Sequence, residues 1–228
     1  MIVILTGAGI SAESGLGTFR DLGGIWQQVR LEEVATPEAF ARDPTRVQAF
    51  YNARRRQAAE AAPNAAHRAL GRLQAALGDH LMLVTQNVDD LHERGGAEAL
   101  HMHGSLFSAL CGACGAREPL RGDLGQGEAC RSCGAEALRP DVVWFGEMPY
   151  GMHTIEAALS RAETFVSIGT SGQVYPAAGF AAMARDAGAE TIELNLEPTG
   201  GAFDRVVTGR ASEIVPAFVE DLIGAATR

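Results

Sequence analysis

The stretch Ile2-Val3-Ile4-Leu5-Thr6-Gly7-Ala8-Gly9-Ile10-Ser11-Ala12-Glu13-Ser14-Gly15 decides how the rest of the chain reads. A short β-branched run that breaks into glycines and small residues predicts a buried strand feeding a tight turn. Gly7, Gly9 and Ala12 fit the G-x-G-x-x-G/A spacing of a dinucleotide-binding turn, in which missing side chains let the backbone approach a pyrophosphate at a helix N-terminus. By itself the spacing is a weak signal. An ordinary dehydrogenase would also place an acidic residue about 20 positions on, at the end of a second strand. Here that region reads Gly23-Gly24-Ile25-Trp26-Gln27-Gln28-Val29-Arg30, a loop running into a helix. Whatever binds at the turn is therefore handled differently from a hydride carrier.

At 228 residues the chain can hold one large domain with a small inserted one, and can bury a sizeable core. No apolar run approaches the ~20 residues of a membrane span. The apolar start at residues 2–5 lacks the basic flank and cleavage site of a signal peptide. The expectation is a cytoplasmic protein with no membrane partner. A net charge of −9 argues against direct nucleic-acid binding and is compatible with basic protein substrates.

The cysteines come as two C-x₂-C pairs, Cys111 with Cys114 and Cys130 with Cys133, 15 residues apart. In an intracellular chain that spacing reads as a tetrahedral zinc site, with disulfides or a redox pair as the alternatives. Four thiolates would fill the metal's shell and leave no position for water, so such a zinc is structural.

Along the chain, Thr36 and Asp43 precede Pro37 and Pro44 as N-caps with proline at the first helical position, and Asn64 caps an amphipathic helix carrying Ala66, Leu70, Leu73 and Leu77 on one face. Leu81-Met82-Leu83-Val84-Thr85, Thr164-Phe165-Val166-Ser167-Ile168 and Glu190-Thr191-Ile192-Glu193-Leu194 read as buried strands, each ending in polar residues, and residues 99–105 as a shorter one. A helix is expected from about Tyr175, and a closing helix from about Glu213 with Ser212 as N-cap. Strands alternating with helices predict an α/β fold, a Rossmann-like doubly wound parallel sheet. The large part takes residues of about 1–25, 62–107 and 138–228. A small domain is built from a helical insertion of about 26–61 and a zinc-ribbon insertion of about 108–137.

Taken together, GAGISAESGLGTFRD (7–21), TQNVDDLHERGG (85–96), HMHGSLF (101–107), the two C-x₂-C pairs, PDVVWFGE (140–147), GTS (169–171) and N-L-E (195–197) resemble the sirtuins. These are NAD-dependent protein lysine deacylases, and the resemblance covers essentially the whole chain. It implies that Gly7, Ala8, Gly9, Ile10 and Ser11 cradle the phosphates of NAD, and that Phe19 and Arg20 belong to the loop screening the nicotinamide. It places Gln86, Asn87 and Asp89 around the nicotinamide and its ribose, with Gly169, Thr170 and Ser171 as a second phosphate and ribose contact. Asn195, Leu196 and Ala211 fall at the adenosine end.

Read alone, a histidine at a strand end is a polar scaffold residue, and His92, His101 and His103 together could suggest a metal site. The match assigns catalysis to His103, with Asn87, and leaves His92 and His101 structural. The implied chemistry consumes NAD as co-substrate: the acyl-lysine carbonyl oxygen attacks C1′ of the nicotinamide ribose, nicotinamide leaves, and His103 takes a proton from a ribose hydroxyl. That hydroxyl captures the alkylamidate carbon, and water then releases free lysine and 2′-O-acyl-ADP-ribose. Val142, Val143, Phe145, Gly146 and Glu147 match a segment that pairs with the substrate backbone by strand addition, although PDVVWF also reads as a core strand.

Tyr51 and Arg54 lie three apart on a helix and share a face. They fit the Y-x-x-R pattern of the sirtuin branch that removes succinyl, malonyl and glutaryl groups. A guanidinium fork and a phenol suit the carboxylate at the far end of such a group. Read without the family, Arg54-Arg55-Arg56 is a solvated charged face. Ala49 and Ala53 are expected to leave room for the longer acyl chain. The competing readings are a plain deacetylase, protein ADP-ribosyl transfer, and a non-catalytic NAD-sensing zinc-ribbon module.

Overall fold

A computed structural model of the chain describes residues 1–17 and 30–226. The loop expected at 18–24, with Phe19 and Arg20, and the segment up to residue 29 lie outside the described residues. The described strands are β1 (Ile2–Thr6), β2 (Leu81–Thr85), β3 (Leu100–His101), β4 (Gly104–Cys111), β5 (Arg117–Pro119), β6 (Leu138–Val142), β7 (Thr164–Ile168), β8 (Glu190–Asn195) and β9 (Arg205–Thr208). The described α-helices are α1 (Pro37–Arg42), α2 (Pro44–Glu60), α3 (Ala65–Leu77), α4 (Leu91–Arg94), α5 (Met152–Leu159), α6 (Phe180–Asp186) and α7 (Ala211–Ala226).

Six strands form one parallel sheet in the order β3-β2-β1-β7-β8-β9. Side chains alternate across a strand, and β1 shows the consequence. Ile4 joins Leu83 and Val166 under α3 and α7, where Leu70, Leu73, Val215, Phe218 and Val219 close one face. Val3 and Leu5 point the other way, to Phe165 and to Ile155, Leu159, Phe180 and Ala184 of α5 and α6. Strands covered on both sides must be apolar throughout, which is why they read as continuous runs.

Helix starts follow their caps. The Thr36 hydroxyl accepts the Ala39 N–H at 3.1 Å, and the Asp43 carboxylate accepts that of Arg46 at 3.0 Å. Asn64 accepts the Ala66 N–H at 2.9 Å while its own N–H donates to His67 Nδ1 at 3.3 Å, a reciprocal capping box.

Several expectations are corrected. Only Leu100–His101 of the 99–105 stretch joins the parallel sheet. Gly104, at φ +81, turns the chain out of it, and a Cβ there would lie 2.1 Å from the Asp141 carbonyl oxygen. From Gly104 the chain enters an antiparallel sheet ordered β5-β4-β6, a few residues wider at each end than 108–137. No α-helix starts at Tyr175; a 3₁₀ turn at Ala177–Gly179 leads into α6. The closing helix begins at Ala211, so Ser212 lies inside its first turn. The glycine turn continues as two 3₁₀ turns, Ala8–Ile10 and Ala12–Ser14, where an α-helix was expected. Helix α5 and the four-residue edge strand β9 were not expected from the sequence. Among the described residues no helix is long and apolar enough to cross a membrane.

Candidate active site

Strand order reverses between β1 and β7, and open α/β sheets bind ligands in the crevice beyond such a switch point. The residues following both strands meet there. Gly7 N–H donates to the Ile168 carbonyl at 3.0 Å and Gly9 N–H to that of Gly169 at 2.9 Å. A Cβ on Gly9 would stand 2.8 Å from Gly169 Cα, and Gly169 itself sits at φ +61. The glycines are thus demanded by the packing of one turn against the other strand end, as well as by any ligand. Ile10 and Ser11 N–H groups are also spent inside the turn, on Gly7 and Ala8 carbonyls. Among the described residues, the Ala8 N–H is the donor of this turn that meets no acceptor.

Beneath the turn, Ser11 is 2% exposed and fully bonded. Its Oγ donates to Asp89 Oδ2 at 3.2 Å and accepts from Asn87 Nδ2 at 3.1 Å. His67 Nδ1 accepts from a backbone N–H, so Nε2 is the protonated nitrogen and donates to Ser11 Oγ at 3.4 Å. Asn87 therefore turns its amide NH₂ toward Ser11. Asp89 holds Leu91 N–H at 3.1 Å with its other oxygen. Burial pushes its carboxyl upward, opposed by those two hydrogen bonds.

His103 is half-buried and its Nδ1 faces the Gln86 carbonyl oxygen at 3.2 Å. His101, two residues earlier, touches two acceptors: the Asn87 carbonyl at 2.9 Å and Glu93 Oε1 at 3.0 Å. His92 is buried against the Thr6 hydroxyl at 2.9 Å. The three histidines thus have three separate environments, with no common ligand position.

At the far end of the crevice Asn195 Nδ2 donates to the Thr170 carbonyl at 2.8 Å, and Thr170 Oγ1 bonds Ser167 Oγ at 2.8 Å. Ser171 is half-exposed and Leu196 is exposed. Ala211 opens α7, where the Ser212 N–H and hydroxyl donate to Glu13 at 2.9 and 2.8 Å. Glu13, passed over in the sequence, ties the glycine turn to the start of α7.

Across the crevice, α2 sends its three arginines to three places, which corrects the reading of one solvated face. Arg55 is 1% exposed and donates to the Leu106 and Gly122 carbonyls. Arg56 pairs with Asp123 at 2.6 Å, and Arg54 is half-buried on the side of Tyr51. Arg54's charge is felt by Tyr51 and Asp89, and burial pushes the guanidinium downward. Tyr51 is 3% exposed, its phenol pushed far upward by burial. Ala49 and Ala53 are exposed, about half a turn from Tyr51 on the outer face, so they do not shape the space beside it.

Residues 143–147 form a loop held largely by the protein's own hydrogen bonds. Val142 is the last residue of β6. The N–H groups of Val143, Phe145 and Glu147 are held by the carbonyls of His103, Ala35 and Trp144, and that of Trp144 by the Glu147 carboxylate. Gly146 is exposed, and among the described residues its N–H meets no acceptor.

The four cysteines form one cluster, their sulfurs all within 4.8 Å of one another. Cys111–Cys133 and Cys114–Cys130 Sγ distances are 3.7 and 3.8 Å. A tetrahedron with Zn–S of about 2.3 Å has S···S edges of about 3.8 Å, whereas a disulfide needs about 2.05 Å. The donor set fits a structural zinc and excludes the disulfide alternative.

These features define a class: a doubly wound nucleotide-binding domain with a Cys₄ module inserted beside its switch point. A model of the Sir2 family matches residues 7–176. A protein named NAD-dependent protein deacylase from Caulobacter vibrioides is 56% identical, the match covering 97% of this chain and 96% of that protein. One so named from Escherichia coli (strain K12) is also 56% identical, over 97% of this chain and 82% of that protein. A crystal structure of a Sir2 homolog–NAD complex superposes with a TM-score of 0.89 at 38% identity, covering 100% of this chain and 90% of that one. The chain belongs to the Sir2 family.

Proposed function

We propose that the chain is an NAD-dependent protein lysine deacylase that removes succinyl and malonyl groups, and acetyl groups as well, from lysine side chains of proteins. The deacylase part rests on membership of the family and on relatives of that name. Bound at the switch point, NAD would supply an activated glycosidic carbon and the ribose hydroxyls. The Ala8 N–H meets its phosphates, and the Thr170 and Asn195 end of the crevice receives the adenosine. His103 Nε2 takes the proton of a ribose hydroxyl, and Asn87 Oδ1 accepts from a hydroxyl to orient it. Gly146 N–H holds the substrate backbone.

The acyl preference is carried by one observation: Tyr51 and Arg54 lie on the same side of α2, one buried and the other half-buried. A desolvated guanidinium and phenol have little to do for an acetyl methyl group. For a carboxylate they offer a planar fork and a further donor, in a place where charge-assisted hydrogen bonds are strong. The test supplies NAD with matched acetyl-, succinyl- and malonyl-lysine peptides and follows nicotinamide release and peptide mass. Higher kcat/KM on the succinyl and malonyl peptides is expected. Turnover of acetyl-lysine alone would overturn the preference, and no turnover of any peptide would overturn the deacylase reading.

A further inference from the structure

Trp144 is 2% exposed, and its indole N–H donates to the Tyr51 phenol oxygen at 3.0 Å. An indole nitrogen can only donate. The Tyr51 oxygen is therefore the acceptor in this contact and keeps its own O–H for another partner. Burial keeps that phenol protonated, so it remains a donor.

Trp144 is held on every side. Its backbone N–H is bound by Glu147 Oε2 at 2.8 Å, and the Arg139 guanidinium lies 3.9 Å from its ring centroid. Arg139 and Glu147 pair at 2.8 Å, and Phe40 meets the indole ring at 5.3 Å. A buried side chain this constrained leaves the N–H one direction, and that direction ends on Tyr51.

We propose that Trp144 is a specificity-determining positioning residue: by filling the acceptor side of the Tyr51 phenol it fixes the Tyr51 O–H as a donor for the carboxylate of a dicarboxylic acyl-lysine. This rests on the Tyr51–Arg54 reading above. Trp144 does not itself touch the substrate. Its effect is to stop the phenol from rotating into a geometry in which its lone pair would meet the incoming carboxylate.

The test compares Trp144→Phe, Tyr51→Phe, the double variant and Arg54→Met, with kcat and KM measured on succinyl- and acetyl-lysine peptides. Trp144→Phe keeps an aromatic ring in the site and removes the N–H donor, together with part of the indole's volume. Its succinyl-to-acetyl ratio of kcat/KM is expected to fall about tenfold, mostly through KM, the size of effect of one hydrogen bond to a charged group. Adding Tyr51→Phe should then cost much less than it does in the parent. If Trp144→Phe does not fold, replacing Trp144 by benzothienylalanine removes the N–H with less change of shape and reads the same ratio. A ratio unchanged in the Trp144 variant while Tyr51→Phe and Arg54→Met lower it overturns this proposal alone. A ratio unchanged in all of them overturns the pocket reading, and this proposal with it. Equal loss on both peptides means Trp144 is only structural, which also overturns it.

Discussion

The His103 ring is oriented by the Gln86 carbonyl at 3.2 Å, and because a carbonyl only accepts, Nδ1 carries the proton and Nε2 keeps its lone pair. Burial pushes the imidazole below its ordinary 6.5, against the pull of that hydrogen bond. The neutral ring, the form a general base needs, is therefore the dominant form at pH 7. The acid limb of kcat/KM is expected below pH 6.5, with no further gain from this group above it. His103→Ala should lower kcat by about 10²–10⁴-fold. A rate within threefold of the parent would remove His103 from the chemistry.

Stability should respond to pH through other histidines. Burial pushes His67 down to about 3 and His92 down to about 4, His67 further lowered by His92 beside it. His92 Nδ1 is buried without a partner, so nothing there rewards a second proton. In the unfolded chain both rings protonate near 6.5; in the folded chain they resist until pH 3–4. Stability is thus lost as pH falls below 6.5. Melting temperatures taken between pH 7 and 4.5 should decline, and NMR titration should show both rings neutral at pH 5.

His101 behaves in the opposite sense. Burial opposes its charge, but the hydrogen bond and charge of Glu93, with the Asn87 carbonyl and Asp89, raise its pKa. Two acceptors on one imidazole require both N–H groups, that is, the imidazolium. A raised pKa contributes in full below the unfolded value of 6.5 and is lost as pH climbs through the folded value. Because the Asn87 carbonyl is one of the acceptors, the loop that carries Asn87 should loosen on the alkaline side. Glu93→Gln should abolish that alkaline loss in thermal melts, whereas a curve unchanged by the substitution would separate the pair from stability.

Much of this arrangement is legible in the sequence because local chemistry dictates it. Thr36, Asp43 and Asn64 announce their helices through their own side-chain bonds, and the apolar runs announce strands covered on both faces. The cysteine spacing fixes the metal cluster. What escaped reading depends on distant pairings. Arg55 looks like its neighbours Arg54 and Arg56 until tertiary packing buries it against Leu106. Ser212 has the chemistry of an N-cap, yet the carboxylate serving that helix end comes from Glu13. Trp144 and Tyr51, 93 positions apart, meet only because β6 returns the chain beside α2.

The cysteine module should prove to be a support for α2. Asn52 exchanges hydrogen bonds with Leu124 at 3.0 and 2.9 Å, and Arg55 and Arg56 reach Gly122 and Asp123 of the same segment. One zinc per chain is expected by elemental analysis. Chelation, or Cys130→Ser, should lower the melting temperature by about 10 °C. Activity on acyl-lysine peptides should fall with it, because α2 carries Tyr51 and Arg54. Full activity in a zinc-free protein would show that α2 stands without the module.

Glu13 offers the last test, on the cofactor side. Its carboxylate accepts the Ser212 N–H and hydroxyl and faces Arg210 at 3.6 Å, so it satisfies otherwise unpaired donors at the start of α7. Burial works against the charge, but the Ser212 bonds and Arg210 outweigh it and hold the pKa below 4.5. The contribution is therefore present above pH 4.5 and lost as pH falls through the lowered value. This contact ties the glycine turn to the start of α7, the two ends of the crevice that the proposed function gives to the phosphates and the adenosine. Glu13→Ala should raise KM for NAD by about three- to tenfold, the cost of a lost helix cap of about 1 kcal/mol. KM for the peptide should change little. Glu13→Gln, which still accepts one hydrogen bond, should recover part of the loss. Equal changes in both KM values would mean that Glu13 stabilises the fold as a whole, with no particular grip on the cofactor crevice.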